Sequence, residues 1–209
     1  MSDVIKTSIK QQVYEIIKEK IINQEYALGE QINIKLLGEE LEVSNTPIRE
    51  ALARLNAEGL VSSSHNLKFR VVEFSPASYY ELNQTVAVLE IGAFDSANEL
   101  GLIDELAAML EERLDAQRET LDNKDYDGFI RKAIEFDRSF LAVLKNKTLL
   151  SVFDELSNLL FLAVRYNHQK SGTNRESNVA EHEDILAAVK RRDTAKVKAL
   201  LRSHYDKRI

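Results

Sequence analysis

Cysteine is absent from the 209 residues, which excludes disulfides and thiolate metal sites, so any metal must be held by His, Asp or Glu. Proline occurs only twice and glycine seven times, and so few chain breakers lean the composition towards helix. No run of about 18 apolar residues is present for a membrane span, and the opening Met-Ser-Asp-Val-Ile-Lys lacks the apolar core of a signal peptide. Both point to a cytoplasmic protein without a membrane partner. Excess positive charge is also missing: 28 Lys and Arg face 34 Asp and Glu, a net charge of −6 that argues against indiscriminate nucleic-acid binding. A specific binder needs only a local basic face. The apolar fraction, 44%, is that of a globular protein, and the length suits one large domain or two small ones.

The two prolines punctuate the chain. Thr46-Pro47 and Ser75-Pro76 each place a hydroxyl residue at an N-cap and Pro at the first helical position. Ile9, Val13, Ile16, Ile17 and Ile21 recur at helical spacing over 8–23, Ile34, Leu37 and Leu41 mark a second short helix, and Ile48, Ala51, Leu52 and Leu55 a third over 47–58, with Gly59 beyond its end. The period then changes to two. Leu60-Val61, a polar turn, and Lys68-Phe69-Arg70-Val71-Val72 read as a hairpin with basic outer positions. From Ser75 onward six helices are predicted near 77–100, 102–121, 126–145, 148–168, 178–191 and 194–208, an antiparallel bundle with short connections. The fold class is therefore mostly α: a winged helix-turn-helix domain over 1–74, followed by an all-helical domain over 75–209.

The stretch from Leu41 to Val61 carries Ser44-Asn45-Thr46-Pro47, Arg49-Glu50-Ala51-Leu52 and Glu58-Gly59-Leu60-Val61 in register, preceded by Leu28-Gly29. It resembles the winged helix of the GntR family of bacterial transcriptional regulators. If Ile48, Ala51, Leu52 and Leu55 face the core, Asn45, Thr46, Arg49 and Asn56 lie opposite, where a recognition helix meets base edges. Arg49 suits a bidentate contact to guanine, Asn45 or Asn56 suits adenine, and Thr46 suits a phosphate. Arg54 lies between the faces, open to a phosphate contact or an ion pair. Lys35, His65, Lys68 and Arg70 are candidates for phosphate or minor-groove contact. The family usually has Arg at the place of Asn45 and Gly at the place of Asn66.

An all-helical second domain resembles the FadR branch, whose ligand-binding domain is called FCD; Leu89-Glu90, Asp137-Arg138-Ser139-Phe140, Asn146, His182 with Ile185, and His204 match its spacing. Independently, Asp137, His182 and His204 each sit on an apolar helical face, and a buried carboxylate is costly unless paired or metal-bound. The resemblance makes these three positions metal ligands, with a further His four residues after the Asp; here that residue is Leu141. Two His and one Asp suit an open site for Zn²⁺, Ni²⁺ or Fe²⁺, the alternative being a metal-free hydrogen-bonded cluster. The family Arg thought to hold an effector's acid group is replaced by Val86. For an organic-acid effector, Arg165 is the substitute candidate, with Asn158 one helical face below it; a surface ion pair is the alternative for Arg165.

The resemblance implies a homodimer on double-stranded operator DNA, controlled by a small-molecule effector and not catalytic. Two readings compete: a helical metalloenzyme using Asp137, His182 and His204, and a regulator that has lost effector control, which Leu141 and Val86 favour.

Overall fold

The computed structural model of the chain describes residues 8–63, 68–123, 125–171 and 175–206. The chain divides into two compact units, Met1–Phe74 and Ser75–Ile209.

In the first unit Ser8 caps α1 (Ile9–Ile22), which buries Val13, Tyr14, Ile17 and Ile21 along one stripe. α2 (Ile34–Glu40) starts at Asn33, whose side-chain oxygen accepts from the amides of Lys35 and Leu36. α3 (Asn45–Ala57) begins two residues before the sequence expectation: Ser44 and not Thr46 is the N-cap, and Pro47 is the third helical residue. First-turn amides have no intrahelical acceptor, so proline costs no hydrogen bond there. Gly38 permits the close approach of α2 to the turn before α3, because a Cβ there would lie 3.1 Å from the Val43 carbonyl oxygen. Gly59 ends α3 at φ 75°; its amide donates to the Asn56 carbonyl at 3.2 Å and that of Leu60 to Leu55 at 3.0 Å, closing the helix end.

β1 (Val61–Ser63) and β2 (Phe69–Val71) pair antiparallel, with Val61 opposite Val71 and Ser63 opposite Phe69. Phe69 and Val71 are buried and Arg70 is exposed, the alternation read from the sequence. A further edge had no sequence signal. The amide of Ile32 donates to the Phe69 carbonyl and that of Val71 to Glu30, each at 2.9 Å, so residues 30–32 extend the wing. Ile17, Ile21, Leu37, Ile48, Leu52, Leu55 and Leu60 form the core of this unit, each burial worth about 1.5–3 kcal/mol.

The second unit contains α4 (Pro76–Glu99), α5 (Ile103–Asp122), α6 (Tyr126–Ala142), α7 (Lys147–Ser171), α8 (Arg175–Lys190) and α9 (Thr194–Tyr205). Ser75 caps α4 with Pro76 at the first helical position, and Ser78 returns the hydrogen bond. α6 ends three residues earlier, and α8 begins three residues earlier, than the hydrophobic period predicts. α5 packs on α6 and α8, α6 on α4 and α7, and α9 on α4 and α8. Phe94, Phe129, Phe136, Phe140 and Phe153 are fully buried, and Phe140 meets Phe94 and Phe136 edge to face at 6.4 and 6.3 Å. Among the described residues no helix is long and apolar enough to cross a membrane.

Candidate functional site

In the winged unit, burial of Ile48, Ala51, Leu52 and Leu55 leaves Asn45, Thr46, Arg49 and Asn56 exposed on the other face of α3. A groove of about 260 Å³ gathers Lys35 of α2, Asn45 and Arg49 of α3, and Lys68 before β2. Gln31 and Asn33 line it as well. They were missed because nothing in the sequence places the segment before α2 beside the wing. Arg49 and Lys68 make no ion pair or hydrogen bond among the described residues, whereas the neighbouring Glu50 is bound by Lys10 at 2.7 Å. Lys35 stands 3.9 Å from Glu39, and Arg70 donates to the Gly29 carbonyl at 3.0 Å. His65 lies outside the described residues.

Arg54 is not part of this groove. Its guanidinium covers the Tyr14 ring at 3.7 Å, Nε donates to Glu58 at 3.1 Å and Nη1 to Gln11 at 2.9 Å. The Tyr14 hydroxyl donates to the same Glu58 carboxylate at 2.8 Å, and burial, followed by that bond, pushes the phenol well above its ordinary pKa. Of its two readings the intramolecular one is the arrangement present, because α1 supplies both a ring and an amide oxygen at that edge of α3.

In the helical unit, α6, α8 and α9 bring Asp137, His182 and His204 together, with one donor atom of each within 4.8 Å of the others, and all three side chains are buried. His182 is 0% exposed and its Nε2 lies 3.7 Å from Asp137 Oδ1. Its Nδ1 is 2.8 Å from Gln117 Oε1 on α5. An amide oxygen only accepts, and the Gln117 amide nitrogen donates to Asn178 at 2.7 Å, so Nδ1 carries the hydrogen. Nε2 is the ring atom that faces Asp137, and it offers a lone pair when the ring is neutral. His204 repeats the pattern, with Nδ1 2.6 Å from Glu181 Oε2. The His182 ring also stacks on Phe136 at 4.1 Å, which fixes its plane. Buried imidazoles held through Nδ1 by outer oxygen acceptors, beside a carboxylate, are the donor set and tautomers a divalent ion requires. Leu141, fully buried, contributes no donor.

A second carboxylate stands near. Glu90 of α4 is 0% exposed, and its Oε1 accepts from the Tyr205 hydroxyl at 2.6 Å. Burial, and then the charge of Asp137, holds its carboxyl well above the usual carboxylate range. Burial likewise raises the Tyr205 phenol. The sequence used Glu90 only as a family mark. The missed signal was its place on one apolar stripe with Val86, Ala93, Phe94 and Ala97.

A cavity of about 50 Å³, room for a few water-sized groups, adjoins Asp137, His204 and Tyr205. Its polar wall includes Asn83, His168, Asn178 and the Tyr79–Asn167 pair, hydrogen-bonded at 3.0 Å. Neither expected effector residue lines it. α7 presents Leu160, Val164, Asn167 and His168 to the cavity, whereas Asn158 and Arg165 fall on the adjacent stripe, and Arg165 Nη1 pairs with Asp127 at 3.2 Å. Asn158 and Arg165, expected from the sequence to meet an effector, thus stand outside the wall of this cavity.

Residues 9–71 match the gntR family of bacterial regulatory proteins, and residues 81–207 match the FCD domain. The chain is 25% identical over 197 residues to the HTH-type transcriptional regulator YdhC of Bacillus subtilis, covering 93% of this chain and 87% of that one. It is 26% identical over 193 residues to the Nta operon transcriptional regulator of Aminobacter aminovorans, covering 88% and 87%. With the HTH-type transcriptional repressor RspR of Escherichia coli it shares 25% over 199 residues, covering 94% and 85%. Among solved structures, Escherichia coli McbR/YncC superposes with a TM-score of 0.71 at 23% identity over 95% of this chain and 94% of that one. A GntR regulator from Rhodococcus sp. RHA1 gives 0.74 at 18% identity over 96% and 95%. These two show the fold. With both of its units matched in order, the chain belongs to the gntR family of bacterial transcription regulators and carries an FCD domain.

Proposed function

We propose that this chain is a cytoplasmic, homodimeric repressor of the FadR branch, which reads a near-palindromic operator with its winged unit. The helical unit answers a small-molecule effector and holds a divalent metal through Asp137, His182 and His204. Arg49, Asn45 and Asn56 read bases, while Lys35, Thr46, Lys68 and Arg70 meet the backbone. The observation that carries the DNA reading is the groove in which Lys35, Asn45, Arg49 and Lys68 converge on an acidic protein, with Arg49 unpaired among the described residues. Reading is local and does not depend on bulk charge.

The metal reading is supported by the two Nδ1 contacts, His182 with Gln117 and His204 with Glu181, which orient both imidazoles. An ion held by these three residues would supply Lewis acidity towards an effector oxygen. Asp137 balances part of its charge, and the cavity beside His204 leaves space for the ligand. Effector binding that favours one placement of the two winged units shifts DNA affinity.

One experiment tests the reading. Selection from a random duplex pool at moderate salt should enrich a sequence with two related half-sites, and elemental analysis of protein purified without chelator or affinity metal should find about one metal per chain. No enrichment over bulk DNA overturns the first part. A metal content far below one per chain overturns the second.

A further inference from the structure

The segment before α2 forms an outer edge of the wing, and Gln31 is the residue of that edge that pairs with Arg70 of β2. Ser62 of β1 stands opposite the same Arg70, so Gln31, Arg70 and Ser62 lie side by side on one face of the sheet, all exposed. Lys68, two residues before Arg70 and also exposed, shares that face. Ile32, buried like Phe69 and Val71, anchors the edge from the opposite face. Gln31 is thus held in place by its backbone and its neighbour, while its side chain makes no hydrogen bond among the described residues. It lines the same groove as Lys35, Asn45, Arg49 and Lys68.

In that groove the edge of the wing meets α3, whose Asn45 and Arg49 face base edges in the reading above. A duplex that offers its major groove to α3 and the neighbouring minor groove to the wing passes a sugar–phosphate strand between them, because the two grooves are separated by backbone alone. A phosphate oxygen only accepts, and a glutamine amide supplies two N–H donors without carrying charge. We propose that Gln31 is an uncharged phosphate contact: its Nε2 donates to that strand and fixes how α3 lies in the major groove. The inference rests on the DNA-reading role proposed for the winged unit. Lysine contacts displace counterions and fade with salt, whereas an amide contact displaces none. That difference makes the role of Gln31 separable from those of Lys35 and Lys68.

The test is fluorescence anisotropy of the full chain on the duplex enriched from the random pool, on its single-base variants and on an unrelated duplex, across a salt series. Gln31→Ala should weaken the selected duplex and its single-base variants evenly, by about three- to tenfold, with the salt slope unchanged. Gln31→Lys should steepen the salt slope by about 1, a gain that misfolding cannot produce. Gln31→Glu, which sets a carboxylate against the phosphate, should bind more weakly than Gln31→Ala. Unchanged affinity in Gln31→Ala overturns the proposal, as does a loss confined to one base pair, which makes Gln31 a base reader, or an unchanged slope in Gln31→Lys. A parent chain that prefers no duplex overturns the DNA reading and this contact with it. A parent that binds its selected duplex no better than Gln31→Ala does overturns the contact alone.

Discussion

The Nδ1 atom of His182 and the side-chain oxygen of Gln117 lie 2.8 Å apart in a fully buried pair, and this contact decides which nitrogen of His182 faces Asp137. Gln117→Leu removes the acceptor and leaves a buried N–H unsatisfied. Outer residues that orient metal-bound histidines are worth about 10- to 100-fold in metal affinity, and an unmet buried donor costs about 1–3 kcal/mol. Equilibrium dialysis with zinc and thermal unfolding should register both losses. Unchanged zinc affinity in a folded variant would remove Gln117 from the site.

Arg49 and Lys68 share one groove but should fail differently. Arg49→Ala should cost about 1–3 kcal/mol at the base it reads and relax preference there. Lys68→Ala should weaken all sequences evenly and lower the salt slope by about 1. Fluorescence anisotropy on the selected site, its single-base variants and unrelated duplex, across a salt series, separates the two; matching profiles contradict the roles.

For Arg54 the expectation is structural. Its contacts with Tyr14, Glu58 and Gln11 tie α3 to α1. Arg54→Ala should lower stability by about 1 kcal/mol, since the pair is partly exposed, and leave the salt slope of DNA binding unchanged. A reduced slope would return Arg54 to the phosphate contacts.

Glu90 sets a pH dependence in chelator-treated protein. Its folded carboxyl is held above the ordinary value of about 4.5, so the native state keeps a proton that the unfolded chain releases. The stability this group contributes is therefore full below that value and is lost as pH rises towards the raised folded pKa, with a slope of at most about 1.4 kcal/mol per pH unit. Glu90→Gln keeps an acceptor for the Tyr205 hydroxyl and removes the titration. It should unfold at higher temperature than the parent at neutral pH, with a flatter pH profile; a lower melting temperature there would show that the ionised carboxylate is the stabilising form.

Much of this was legible in the sequence. Helical spacing placed nine helices among the described residues, the change to period two placed the wing, and Gly59 closed α3. Thr46-Pro47 misplaced the start of α3 by two residues because a proline fits any first-turn position. The edge at residues 30–32 carried no apolar alternation, since its pairing is made by backbone alone.

By itself the sequence determined the helix-turn-helix with its wing, the exposed stripe around Arg49, and the inward faces of Asp137, His182 and His204. Periodicity reports which side of a helix turns inward, and those features need nothing more. Only the tertiary structure decided which inward faces meet. Gln117 stands 65 residues from His182, and Glu90 115 from Tyr205, yet each pair is hydrogen-bonded in the core. The same packing set Arg165 against Asp127 and the Arg175 guanidinium against the Tyr126 ring. Partner choice among buried polar groups depends on how the helices pack together, and no spacing within one helix encodes it.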